Sequence, residues 1–189
     1  MFRTTVDDVS LFGGRTAAGP KPSFRPAVEA LEERVVPTFI LLSAFQDGQP
    51  IPKQFVKKGG ISPPLTLLDP PAGTVSFAVL MDDQSAPGGP FNHWVLFNIP
   101  ASQLALGAGI PRVEFLPNGA LQGLNGNEEI GYLGPTASQG PRKHTYVFQV
   151  FALNTQLNLS PGQTGAVQLL DAMVPNILAV AEIRGTFKR

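Results

Sequence analysis

The sequence predicts a mainly β fold: two packed sheets, a sandwich or barrel-like sheet pair, with one or two short helices. Three observations lead there. Apolar runs of strand length recur along the chain, each bounded by glycine, proline or Asp-Gly turn signals. The 20 glycines and 19 prolines imply many turns and ordered loops. Thirteen phenylalanines suit a sheet-rich core. At 189 residues the chain has room for one ordinary domain with an extension.

The elements follow in order. Residues 1–37 are polar, broken by Gly and Pro, and carry scattered charge, which reads as a flexible N-terminal leader. Within it "AVEALEERVVP" (27–37) favours a short helix that Pro37 ends. The domain proper spans 38–189. "TFILLSAF" (38–45) is a strand closed by the turn "DGQP". "TVSFAVLMDD" (74–83) is a central strand by its unbroken apolar run, and "QSAPGGP" (84–90) is a loop. Further strands cover 92–99 and 144–153, with a long loop-rich region from 100 to 142 between them. "SPGQTGAVQLLDAM" (160–173) begins with a helix cap at Ser160 and places Val167, Leu169, Leu170 and Met173 on one helical face. Residues 181–189 alternate and read as a last strand.

Composition excludes several classes of function. Lysine plus arginine equals aspartate plus glutamate, 14 of each, so the clustered basic excess of a nucleic-acid binder is missing. No cysteine is present, hence no disulfide framework and no thiolate metal site. No run approaches the length of a membrane span. The first 30 residues lack the apolar stretch of a standard secretory signal. That leaves the compartment open between the cytoplasm and the cell surface or export through an atypical leader.

The chemistry concentrates on the two histidines. His93 opens the strand "FNHWVLFNIP" and His144 opens "KHTYVFQVFAL". Side chains alternate in a strand, so His93 is expected on the face of Val95, Phe97 and Ile99, opposite Trp94. His144 shares a face with Tyr146, Phe148 and Val150. Both rings sit beside Gly/Pro loops, and Asp82 and Asp83 end the preceding strand at another such junction. Polar groups at strand mouths with hydrophobics deeper along the face describe a pocket rim. Two imidazoles, a tyrosine hydroxyl and loop amides suit an anion such as phosphate. Two core histidines without a shared pocket are the alternative.

These residues also carry a family resemblance. "MDDQSAPGGPFNHWVLFNIPA" (81–101) resembles the first conserved block of the phosphatidylethanolamine-binding proteins, the Raf kinase inhibitor protein-like family. "GYLGP" (131–135) followed by "KHTYVFQVFAL" resembles the second block. "AFQDGQPIPKQF", "ISPPL", "PAGTVSFAVLM", "LQGLNG" and "AMVPNILAVAEIRGTFKR" resemble the bacterial and archaeal branch, so the similarity spans 38–189. It implies a two-sheet β-sandwich with short helices near the C-terminus and a small anion pocket at one end. Residue by residue it implies a ligand-binding set of Asp83, His93, Gly134, Pro135, His144 and Tyr146. Two departures stand out. Ser85 and Gln84 replace an aspartate and a proline of the first-block loop, which removes a negative charge from the mouth and weakens any grip on an ammonium group. Pro175-Asn176 stands where the family often has Gly-His.

The leading expectation is a non-catalytic binding protein for phosphate or a phospholipid-headgroup-like anion, with no cofactor and no metal. A protein-interaction module inhibiting a kinase or serine protease is the alternative, and a homodimer is left open. Hydrolysis through Ser85 and His93 is a minor reading, because no Gly-x-Ser-x-Gly elbow accompanies Ser85. A metal triad of Asp83 and the two histidines is equally minor.

Overall fold

The computed structural model describes residues 38–56, 59–136 and 142–188. The expected leader and its helix at 27–37 lie outside the described residues. Strands β1 (Ile40–Ser43), β2 (Leu65–Leu68), β3 (Ser76–Asp83), β4 (Phe91–Pro100), β5 (Ala105–Leu106), β6 (Leu121–Gln122), β7 (His144–Leu153) and β8 (Ile177–Phe187) form two antiparallel sheets. The smaller sheet has the order β1-β2-β5 and the larger β6-β4-β3-β7-β8. One α-helix, α1 (Ala166–Met173), precedes β8. The fold is therefore the mainly β, two-sheet sandwich that the sequence predicts.

The larger sheet is covered on both faces, and this explains the unbroken apolar run in β3. Phe77, Val79 and Met81 face the smaller sheet, packed with Leu41, Leu65 and Leu67. Ala78 and Leu80 face the other way and pack with Leu169 and Met173 of α1. A strand buried on both sides loses the alternation of a half-exposed one.

Three elements differ from expectation. Ser160 precedes a 3-10 turn (Pro161–Gln163) and makes no side-chain cap bond, while α1 starts only at Ala166. The Gly165 N–H is instead satisfied by Gln168 Oε1 at 3.1 Å. Of the four expected apolar positions, only Leu169 and Met173 are buried, because a short helix on a sheet hides one i, i+4 stripe; Val167 is 65 % exposed. The last strand starts at Ile177, earlier than expected, directly after the 3-10 turn Val174–Asn176 that Pro175 helps to set.

The third correction concerns β4. Its register against β3 slips twice. Met81 pairs with Trp94 but Asp82 with Asn92, which leaves His93 as an extra residue; Phe77 pairs with Ile99 but Val79 with Leu96. Each slip is a β-bulge, which breaks the period of two. Trp94, Leu96 and Ile99 consequently lie in the core between the sheets, whereas Val95 and Phe97 lie under α1. His93 packs edge-on against Tyr146, a member of the inter-sheet core. It therefore shares the side of Trp94 rather than that of Val95 and Phe97.

Candidate functional site

Three long strands bring the site together at one end. In the β3–β7 register Asp83 lies opposite Tyr146, and in the β3–β4 register it lies opposite Phe91. His144 is two residues from Tyr146 and so on the same face. The bulge at His93 turns the second ring to that side as well. Asp83, His93 and His144 line one surface-open pocket of about 220 Å³, with Ala86, Pro87, Phe91 and Thr136. All three polar residues are buried at 3 % exposure, which is unusual enough for ionisable groups to require bonded partners.

Those partners fix the geometry. His144 Nδ1–H donates to Asp83 Oδ2 at 2.6 Å. The other carboxylate oxygen, Oδ1, accepts the Ser85 N–H at 2.8 Å, a local turn that shapes the loop after β3. Ser85 Oγ accepts the Thr145 N–H at 3.0 Å, and Gln84 N–H donates to Thr145 O at 3.0 Å. The loop is thus stitched to the start of β7. Among the described residues, Ser85 bonds the Asp83 carboxylate and the Thr145 amide and no ring nitrogen.

His93 is held differently. Its Nδ1–H donates to the Leu133 carbonyl at 2.8 Å, and the Leu133 N–H returns a bond to the His93 carbonyl at 2.8 Å. This reciprocal pair clamps the "GYLGP" loop onto β4. Gly126 permits a second close approach: a Cβ there would stand 2.6 Å from the Phe91 ring, a pocket residue. Its N–H bonds the Asn92 carbonyl at 2.8 Å.

Tyr146 floors the cluster. Its ring meets His93 edge-on at 5.2 Å and lies nearly parallel to His144 at 6.3 Å. The hydroxyl is buried and makes no hydrogen bond of good geometry. Burial, and then the nearby Asp83 carboxylate, push this phenol well above its ordinary range. Burial also lowers the pKa of His93, against the opposing pull of the Leu133 carbonyl and the Asp83 charge, with His144 adding a small further lowering. Next to the site, burial raises Asp82 despite its bond from Asn92 Nδ2 at 3.0 Å.

Of the six residues expected from the sequence, three line the pocket and Tyr146 packs against two of them. Gly134 and Pro135 are buried and are not among the pocket's lining residues; on either side of them, the Leu133 carbonyl accepts from His93 and Thr136 lines the pocket. Phe91, Ala86, Pro87 and Thr136 escaped the sequence reading. Phe91 was within reach of it, standing two residues before His93. Among the described residues no set of three or more His, Asp or Glu side chains converges as metal ligands.

The similarity to known proteins extends over nearly all of the described residues. The family model for phosphatidylethanolamine-binding protein matches residues 42–188. The chain is 37 % identical over 147 residues to the UPF0098 protein of Methanothermobacter thermautotrophicus, covering 77 % of this chain and 95 % of that one. It is 41 % identical over 149 residues to the UPF0098 protein of Aquifex aeolicus, covering 77 % and 85 %. Among solved structures it is similar to the phosphatidylethanolamine-binding protein homologue CT736 of Chlamydia trachomatis, with a TM-score of 0.72 and 34 % identity over 81 % of this chain and 99 % of that one. It is also similar to YbcL of E. coli, a member of the mammalian PEBP family, with a TM-score of 0.74 and 31 % identity over 80 % and 98 %. The chain belongs to the phosphatidylethanolamine-binding protein family, and its role is of the binding-protein kind.

Proposed function

We propose that this protein is a non-catalytic binding protein whose pocket takes phosphate or the phosphoryl group of a headgroup-like ligand. One observation carries the reading: two imidazole rings from strands distant in sequence reach one small pocket, each with its Nδ1 committed to a protein acceptor. With its Nδ1 so committed, the His93 ring presents Nε2 to the pocket, and a proton on that nitrogen makes it a donor to a compact anion. The buried Tyr146 hydroxyl, which makes no hydrogen bond of good geometry among the described residues, lies nearby.

The pocket is poorly equipped for an ammonium group. Asp83 is the one carboxylate among its described lining residues, and it is occupied by His144 and the Ser85 amide. Phosphoethanolamine is therefore expected to bind no more tightly than phosphate. Titration calorimetry of both ligands against the wild type and His144→Ala tests the reading. Losing one charge-assisted donor costs roughly 1–3 kcal/mol of binding, and because the buried Asp83 loses its His144 partner as well, the melting temperature falls too. Equal affinity of the variant and the wild type would refute the assignment.

A further inference from the structure

The tautomers at the pocket restrict what form of anion it accepts, an inference that rests on the anion reading above. We infer that an oxyanion enters together with one proton, which comes to lie between the ligand and His93 Nε2. The Leu133 carbonyl can only accept, so the His93 Nδ1 must carry a hydrogen. In the neutral ring the other nitrogen, Nε2, then holds a lone pair. It has no hydrogen-bond partner among the described residues and is the nitrogen left to the pocket that His93 lines. A fully ionised oxyanion offers lone pairs alone. Two lone pairs facing each other repel, and the contact becomes favourable only when a proton lies between them.

The proton has two sources, and both balance. Either the ring becomes imidazolium beside the dianion, or the ligand arrives as its acid form and donates its own O–H to Nε2. In both cases the complex holds one more proton than the free protein plus the dianion.

The surroundings decide when the ring is empty. From β3 the Asp83 carboxylate faces His93 and favours a proton on it. From β7 His144 disfavours one, and Tyr146, held as a neutral phenol, packs against the ring. From the loop the Leu133 carbonyl favours it, and on β4 itself Phe91 contributes an uncharged edge. Burial outweighs these and lowers the ring's pKa, which favours the neutral form of the unliganded ring. The proton therefore arrives with the ligand rather than before it. This makes the pocket selective for oxyanions that can be protonated near neutrality, such as phosphate monoesters with a second pKa of about 6. Sulfate, which has the same shape and no such proton, is discriminated against as the pH rises.

The experiment is calorimetry of sodium sulfate and inorganic phosphate on the full chain from pH 5.5 to 8, in paired buffers of different ionisation heat. Sulfate affinity is expected to fall about tenfold per pH unit once the ring can no longer be protonated by the bound anion, with about one proton taken up per sulfate bound. Phosphate affinity is expected to persist to higher pH. In His93→Gln the side-chain amide offers an N–H that does not titrate, so sulfate affinity should lose its pH dependence. If that variant does not fold, the proton count on the wild type still decides. Sulfate binding that is flat with pH and releases or takes up no proton overturns the inference and leaves the anion pocket standing. Failure of both anions to bind at pH 5.5 removes the anion reading itself.

Discussion

The same three strands carry buried polar residues at both ends, and the two ends treat them differently. At the far end from the pocket, Ser76 Oγ donates to the Thr155 carbonyl at 2.5 Å. Asn98 Nδ2 donates to the Leu157 carbonyl at 2.8 Å, and its Oδ1 accepts the Leu157 N–H at 2.8 Å. Asn98 sits at the second β-bulge with a φ of 56°, a left-handed conformation that asparagine tolerates better than most residues. The side-chain bonds there fasten the loop after β7 to the sheet. At the pocket end Asp83, His93 and His144 also have structural bonds, but capacity is left over: among the described residues the Tyr146 hydroxyl and the His93 Nε2 have no bond of good geometry. A buried polar residue at a strand end is thus no mark of a site by itself. Unspent hydrogen-bonding capacity beside an open pocket is.

The largest effect should come from breaking the closed end. Asn98→Ala removes both Leu157 bonds and puts a Cβ residue without a compensating polar group in a left-handed conformation. A stability loss of about 3 kcal/mol is expected in urea unfolding, while phosphate affinity at the opposite end stays at the wild-type value. A loss below about 0.5 kcal/mol would erase the distinction between the ends.

A smaller effect sharpens it from the other side. Tyr146→Phe deletes a hydroxyl that makes no hydrogen bond of good geometry among the described residues, so stability should move by no more than about 0.5 kcal/mol and in the stabilising direction if at all. Phosphate binding should weaken at the same time if that hydroxyl serves the ligand. A marked destabilisation would show that the hydroxyl is spent inside the fold.

The smallest effect is on pH dependence. His93 has a lowered pKa in the folded state, so on acidification the unfolded chain takes up its proton first. Its contribution to stability is complete above the ordinary histidine value of 6.5 and is lost as the pH falls from there towards the folded-state value. His93→Gln should flatten that part of the stability profile, read by thermal unfolding between pH 5 and 8. Saturating phosphate should offset the loss in the wild type.

Much of this was legible in the sequence, and the remainder was hidden for identifiable reasons. The strands β3, β4 and β7 are long, apolar and bounded by Pro/Gly loops, so their presence followed from pattern alone. β5 and β6 are two residues each, too short for any period to show. The start of β8 was masked by the preceding Val174–Asn176 turn, and that of α1 by a Ser-Pro-Gly segment that forms a 3-10 turn instead. In the site, His93, His144 and Asp83 stood out as ionisable groups at strand mouths. The bulge that places the His93 ring could not be read, because an extra residue is defined only against the partner strand. The Asp83–His144 bond spans 61 positions, and only the pairing of β3 with β7 brings it about.

One measurement goes most directly to whether the two rings act as a unit: an NMR titration of the histidine ring protons with inorganic phosphate, with His93→Ala and His144→Ala used to assign the two residues. A shared anion pocket predicts that both rings shift together, saturate and yield one dissociation constant. If neither ring moves up to concentrations at which phosphate acts merely as salt, or if the two follow separate curves, the pocket is not an anion site.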